Sequence, residues 1–300
     1  MVYPYSQPPH VILSRTRKLV RQLTPVVVEA GLHVKRDDLF SIQVSVPIRG
    51  GKLRQCLLML EDMAVSRLVS AASIHSPQPA IVAYVARHLG VPCTILVGGK
   101  QDTVSLTLAY SFGADIVRCP SGRHTVLFAK ARELCRAGDF IVPFGMRPET
   151  PYRLFYETCG AQVRNVPAHI RTIVIASGSG ATATAVAYGL WKERRAHQRI
   201  TMINLGPDRR NHVLQTLRVL EPACAKWAER ESVLDALPLS QHHQFRYESP
   251  VQFQLGKIVL NPLYEAKAFS WFTDCVAFDN SNTLFWVTGP PLDLANPQKI

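Results

Sequence analysis

From residue 52 onward helix-like and strand-like stretches alternate along the chain. That alternation restricts the fold more than any other feature, because strands joined by helical crossovers pair in parallel and carry their helices on the faces of the sheet. Residues 52–63 have apolar side chains at helical spacing, and 67–72 reads as a short strand. A helix over 79–89, closed by Gly90, leads into a strand over 93–97. A helix around 105–112, a strand at 116–118, a helix over 125–136 and a strand at 140–142 complete a first unit, flanked by the turn-rich stretches 46–51 and 143–151. A second series opens on a helix over 152–162 and continues with a strand at 172–176, a helix over 181–194, a strand at 199–205 and a helix over 211–220. A strand expected at 32–35 is assigned to this second series, which makes the first an insertion. The expected fold class is therefore α/β with two open parallel-sheet domains, 1–48 with 163–300 forming the large one and 49–162 the small inserted one. Residues 221–256 are polar and weakly periodic, and His242 and His243 there read as an exposed loop pair.

An apolar fraction of 47% in 300 residues supplies a substantial core and excludes disorder for the bulk of the chain. The 34 basic and 22 acidic residues leave a formal charge of +12, a balance that attracts nucleic acid, an anionic membrane or an acidic substrate. The excess is spread along the chain without a basic tail. Its densest groups, Arg15, Arg17, Lys18 and Arg21, then Lys192, Arg194, Arg195 and Arg199, read as solvated faces or as anion-binding patches. The seven cysteines are scattered and form no Cys-x-x-Cys pair, as expected of reduced thiols in a cytosol-like compartment. Residues 1–10 lack the charged-then-apolar order of a secretory signal, and no apolar run reaches the ~18 residues that span a bilayer, so a cytoplasmic protein without a membrane partner is expected. The ten histidines show no paired-ligand spacing, and no metal site is expected.

Three local patterns carry chemistry. In 172–182 a strand runs into Ser177-Gly178-Ser179-Gly180 and then into Ala181-Thr182, which open a helix of small residues. Such a turn presents backbone N–H groups at a positive helix end and adds hydroxyl donors, so it accommodates a phosphate; as structure alone it is a tight strand-to-helix connection. A dinucleotide fingerprint needs a third glycine and a later acidic residue, and a P-loop needs Gly-Lys-Ser/Thr; neither is present. In Arg49-Gly50-Gly51-Lys52 a lysine sits at a helix start, where a cation is electrostatically disfavoured. A surface position accounts for it, and so does a covalent role, since a desolvated lysine forms a Schiff base with an aldehyde. In Ser73-Ile74-His75-Ser76-Pro77-Gln78 a polar turn lies between strand and helix, where ligands meet open parallel sheets; Ser76 as a helix cap with Pro77 at the first helical position explains it equally.

Taken in order, these patterns resemble the fold-type-II pyridoxal-phosphate enzymes, in particular the D-cysteine desulfhydrase and 1-aminocyclopropane-1-carboxylate deaminase branch. Leu23-Thr24-Pro25, Val34-Lys35-Arg36-Asp37-Asp38-Leu39, Val142-Pro143-Phe144-Gly145, the stretch 157–162, Asn261-Pro262-Leu263-Tyr264-Glu265-Ala266-Lys267-Ala268 and Leu284-Phe285-Trp286-Val287-Thr288-Gly289 fit the same branch. The resemblance implies pyridoxal 5'-phosphate in the cleft between the two domains. It implies Lys52 as the lysine that bonds the cofactor aldehyde and later moves the substrate proton, and Ser177, Gly178, Ser179, Gly180, Ala181 and Thr182 as the cofactor-phosphate loop. Ser76 falls on the active-site serine, Tyr264 on the tyrosine facing the substrate, and Thr288 on the residue beside the pyridine nitrogen. A neutral hydroxyl there makes the ring a weaker electron sink and favours elimination over transamination. A homodimer and a small amino-acid or amino-acid-bearing substrate are expected on the same ground. Lys267, within the Tyr264 motif, reads as a helix-face charge.

This chain departs from the family where Gln-Ser-Asn-His becomes His75-Ser76-Pro77-Gln78. The asparagine that supports the cofactor's phenolic oxygen in the family is thereby replaced by a residue without a donor, and Gln78 is the candidate side chain expected to take over that contact. Gly-Asn before the lysine becomes Gly50-Gly51, and a basic residue after Arg54 becomes Gln55. The leading expectation is a lyase or deaminase acting at the α- or β-carbon of an amino acid. A second is decarboxylation or elimination on an amino-acid group attached to a nucleotide or DNA, motivated by the +12 charge and Pro77. A third is a non-catalytic binding descendant of the fold.

Overall fold

The computed structural model describes residues 16–43, 46–61, 63–239, 249–275 and 278–293. His242, His243, Arg15 and residues 1–10, named above, lie outside them. In chain order the strands are β1 (Val26–Glu29), β2 (Leu32–Arg36), β3 (Arg67–Ala71), β4 (Cys93–Gly98), β5 (Asp115–Cys119), β6 (Asp139–Val142), β7 (Thr172–Ser177), β8 (Arg199–Asn204), β9 (Leu234–Pro238), β10 (Gln254–Leu255), β11 (Ile258–Val259) and β12 (Thr283–Val287). The helices are α1 (Gly51–Met59), α2 (Gln78–Leu89), α3 (Val104–Ser111), α4 (His124–Leu134), α5 (Arg153–Gly160), α6 (Ala181–Lys192), α7 (Arg210–Leu220), α8 (Pro222–Arg230) and α9 (Glu265–Cys275).

The chain forms two compact units, one built on Ser41–Met146 and the other on Arg21–Phe40 with Arg147–Pro291. In the first, four parallel strands stand in the order β5-β4-β3-β6. β3 and β4 are covered on both faces, so Val69, Ser70, Ala71, Ile95, Leu96 and Val97 are all buried, as parallel sheets require. Val69, Ala71 and Leu96 form a core with Cys119 and with Leu127 and Ala131 of α4. α2 carries Pro79 in its first turn and ends at Gly90, whose left-handed φ of 69° closes it.

The second unit is a six-stranded sheet in the order β1-β2-β12-β7-β8-β9, antiparallel only between β1 and β2. The strand expected at 32–35 does join it. β2 pairs with β12, so segments from the two ends of the described chain meet in one sheet. Every residue of β12 is buried, and Phe285 packs edge-on against Phe269 of α9 at 4.9 Å. α5 also belongs to this unit, and the small unit ends at Met146 where the sequence reading placed its limit at 162. The reason is close packing of α5 on α6: a Cβ on Gly189 would stand 2.2 Å from the Gly160 carbonyl oxygen, and one on Gly160 would stand 2.5 Å from the Ala185 carbonyl oxygen. Only glycine lets these two backbones touch.

The stretch 221–256, weakly periodic in sequence, contains α8 and β9; α8 begins on Pro222 directly after α7, too short a run for its period to stand out. Lys267 is 1% exposed, which corrects its reading as a surface charge; α9 turns it inward, and burial lowers its pKa. Cys56, Cys93, Cys119, Cys135, Cys159 and Cys224 are free thiols. Among the described residues no helix is long and apolar enough to cross a membrane, and no group of three His, Cys, Asp or Glu side chains is placed to hold a metal.

Candidate functional site

In the small unit the lysine and the polar turn converge on one residue, Gly145. Gly50, at φ 111°, caps α1, and Lys52 follows in the first turn, half-buried. Its Nζ donates to the Gly145 carbonyl at 2.6 Å and to Gln55 Oε1 at 2.8 Å. The N–H of Gly145 in turn donates to Gln78 Oε1 at 2.9 Å. Gly145 has a φ of 63° in the short turn after β6, a conformation that lets its two backbone polar groups serve Lys52 and Gln78. Gln78 Nε2 donates to Ser70 Oγ at 3.1 Å, to the Pro143 carbonyl at 3.3 Å and to the Val142 carbonyl at 3.4 Å, so it ties the ends of β3 and β6 to the start of α2. With its two amide hydrogens shared among three acceptors in the chain, Gln78 fixes the turn on which Lys52 rests. Ser76 is 8% exposed, and its hydroxyl accepts the Gln78 N–H at 3.2 Å; Pro77 precedes the helix as its cap. The cap position expected of Ser76 thus falls on Pro77, and the hydroxyl makes a local turn bond to the first helical N–H.

In the large unit β7 ends on Ser177, which pairs with Asn204 of β8. Ser177 is 3% exposed, and its Oγ has no hydrogen-bond partner. The N–H groups of Gly178 and Gly180 also have no backbone partner among the described residues. A Cβ on Gly178 would meet open space, whereas one on Gly180, the left-handed cap of α6 at φ 81°, would meet Val213 Cγ2 at 3.3 Å. Ala181 N–H reaches Ser179 Oγ at 3.5 Å, Thr182 lies in the first turn, and that turn holds no acidic residue. The turn is therefore built for an anion: dipole, N–H groups and a buried hydroxyl lacking an acceptor all favour negative charge. A phosphate monoester fits these donors.

Two loop carbonyls on the other side are held by arginines that the sequence reading missed. Arg209 Nε donates to Gly178 O at 3.0 Å and Arg147 Nη1 to Ser179 O at 3.3 Å. Neither lies in a local motif; their meeting is long-range.

Tyr264 and Thr288 are joined through Glu265, another residue missed. Asn261 Oδ1 accepts the Leu263 N–H and its Nδ2 donates to the Pro290 carbonyl, which binds the Tyr264 turn to the segment after β12. Glu265 Oε1 accepts the N–H of Thr288 at 3.0 Å and of Gly289 at 3.3 Å. Burial pushes the Glu265 carboxyl up to about 7; the N–H groups of Glu265, Thr288 and Gly289 pull the other way, and the Asp38 charge adds to the rise. A carboxylate directly after Tyr264, in the first turn of α9, was the available signal. Extending the β12–β7 register places Thr288 beside Ser177, at the carboxyl edge of the sheet where open α/β folds bind ligands.

The family model described as "Pyridoxal-phosphate dependent enzyme" matches residues 24–234. The chain is 23% identical over 330 residues to an "O-seryl-dTMP PLP-dependent decarboxylase" of Salmonella phage ViI, covering 85% of this chain and 77% of that protein. It is 23% identical over 277 residues to a "Glycyl-dTMP PLP-dependent decarboxylase" of Pseudomonas phage M6, covering 85% and 93%. A "Putative 1-aminocyclopropane-1-carboxylate deaminase" of Pyrococcus furiosus is 24% identical over 186 residues, 57% of this chain and 55% of that protein. Among solved structures, an ACC deaminase homologue superposes with a TM-score of 0.70 at 19% identity, covering 96% of this chain and 95% of that one, which shows a shared fold.

Proposed function

The chain belongs to the pyridoxal-phosphate dependent enzyme family, and from that premise we propose that it breaks a bond at the α- or β-carbon of an amino-acid group, with Lys52 as the residue that binds the cofactor and moves the proton. Pyridoxal 5'-phosphate, when bound, supplies an aldehyde that captures a primary amine and a ring that draws electrons from the substrate's α-carbon. The convergence of Lys52 and Gln78 on Gly145 supports the assignment. Gly145 O and Gln55 Oε1 are neutral oxygens that set where the nitrogen stands. Gln78 acts as a positioning residue, through the turn that carries Gly145. Ser76, whose hydroxyl stands at the start of α2, and Tyr264 are assigned to the substrate.

In the large unit the Ser177–Thr182 turn is assigned to the cofactor phosphate, Ser177 Oγ and the loop N–H groups being its donors. Thr288 stands at the same sheet edge, its backbone held by Glu265. Ser177→Ala separates this role from a structural one. Removing a buried hydroxyl that lacks a partner leaves the apo protein as stable or more so, while losing a donor to a charged phosphate costs about 1.5 kcal/mol, roughly tenfold in cofactor affinity. Thermal melts of apo protein and a cofactor titration read the two effects; equal affinity in both proteins would remove Ser177 from the phosphate site.

A second reading places the amino-acid group on a nucleotide, with decarboxylation or elimination as the reaction. The two phage relatives named for dTMP-linked amino acids, each matching 85% of this chain, support it. Mixing holoenzyme with a panel of free amino acids and of amino-acid esters or amides of dTMP, followed by absorbance, tests both readings. A spectral change only with the nucleotide-linked compounds selects the second, and a change with free amino acids of the panel selects the first. Silence toward every member of the panel counts against both.

A further inference from the structure

On the carbonyl side of the Ser177–Gly180 turn the large unit collects positive charge. Arg147 and Arg209 are half-buried and each spends a single donor on the loop, at Ser179 O and Gly178 O. A guanidinium has five N–H donors, and neither residue takes part in an ion pair among the described residues. Each arginine is close enough to bear on its neighbours: the Arg209 charge, after burial, lowers the pKa of Arg147, while Tyr156 and Glu149 oppose that fall. His212 lies in the first turn of α7, and its Nε2 is buried without a partner. Burial and both arginine charges keep its imidazole neutral to lower pH than usual.

The backbone adds to this charge. A Cβ on Gly180 would stand 3.5 Å from Arg209 Cβ and 3.8 Å from His212 Cδ2, so the first turn of α7 lies against the start of α6. Two helix N-termini meet there, and neither first turn holds an acidic residue. The nearby Asp208 carboxylate is itself engaged by the Arg210 N–H and by Asn204. Two half-buried guanidiniums on neighbouring carbonyls of one loop, with most donors unspent, favour an anion beside them.

We infer that Arg147, Arg209 and His212 form a second anion subsite in the large unit, one that takes the phosphoryl group of a nucleotide-borne amino-acid substrate. The inference rests on the nucleotide-linked reading above. It is separate from the cofactor's phosphate because a peptide points its N–H and its carbonyl in opposite directions. The loop N–H groups serve the first phosphate, and the arginines stand on the carbonyls. Paired planar guanidiniums with a neutral imidazole donor match a nucleoside monophosphate better than a carboxylate, since three phosphoryl oxygens give each of them an acceptor.

The test uses holoenzyme, with thymidine monophosphate and inorganic phosphate as probes, in wild-type protein and in Arg147→Gln and Arg209→Gln. Calorimetric titration is expected to show thymidine monophosphate binding weakened at least tenfold in each variant, with a shallower dependence on salt. Cofactor absorbance and the melting curve control for the loop and for folding. Unchanged nucleotide binding in folded variants overturns the inference. So does loss of cofactor absorbance in step with nucleotide binding, because the arginines would then serve the cofactor loop. If wild-type protein binds the nucleotide through the arginines but Lys52 never yields visible absorption with pyridoxal phosphate, the subsite stands and the assignment of Lys52 falls.

Discussion

Lys52→Ala is expected to abolish the visible absorption of the cofactor-loaded protein and to lower turnover by roughly 10⁴-fold, since on the proposed assignment it removes both the amine that bonds the aldehyde and the general base. The fold should survive. Lys52 is half-buried in the first turn of α1, and its loss leaves two acceptors, Gly145 O and Gln55 Oε1, that cost about 1 kcal/mol to leave unpaired where water reaches them. Far-UV circular dichroism and melting curves check that expectation beside the spectrum. Lys52→Arg sharpens it: the cation stays, but a guanidinium does not act as a nucleophile, so absorbance and turnover remain lost. Visible absorption retained in either variant would show that another amine carries the cofactor.

Glu265→Gln is expected to change how stability depends on pH. The wild-type carboxyl titrates at about 7 in the folded protein against an ordinary 4.5, because burial disfavours its charge. The folded state thus binds the proton more tightly, and the stability linked to it is present in full below about pH 4.5 and lost as pH rises through about 7. The span corresponds to roughly 3 kcal/mol. Glutamine keeps an oxygen for the Thr288 and Gly289 N–H groups and has no charge to bury. Urea unfolding at pH 5, 6, 7 and 8 should therefore show the variant gaining on wild type at each step, by up to about 3 kcal/mol in all. A constant gap would mean that Glu265 is ionised throughout. Turnover adds a second readout, since the same carboxyl fixes the segment bearing Thr288 at the sheet edge.

Much of the site was legible because its signals are local. The Ser177–Thr182 turn suggests an anion site through glycines and hydroxyls that need only their own strand and helix, whereas the position of Lys52 at a helix start fits a surface residue as well, and its role comes from the ordered resemblance. Ser76 is different. The sequence offers it as a cap or as an active-site hydroxyl; in the structure Pro77 takes the cap position and Ser76 Oγ accepts the Gln78 N–H from one residue earlier. Gln78 was assigned to the cofactor's oxygen, whereas its amide is engaged by Ser70, Val142, Pro143 and Gly145, three of them more than sixty residues away in sequence. Arg147, Arg209 and Glu265 escaped notice for a related reason, since each gains meaning only from a partner on another element.

Alternation of short apolar segments and helices, with glycines and prolines between them, determined by itself that this chain forms parallel sheets and roughly where the strands and crossovers between residues 52 and 220 lie, because those preferences act over a few residues. Strand order across segments far apart, the transfer of α5 to the large unit, the inward turn of Lys267 and the Tyr264–Glu265–Thr288 connection were decided only in three dimensions. Each depends on two backbones or a buried polar pair meeting at contact distance. Such contacts are selected by the packing of the whole unit, where an unpaired buried group or a misplaced Cβ costs more than any local preference returns.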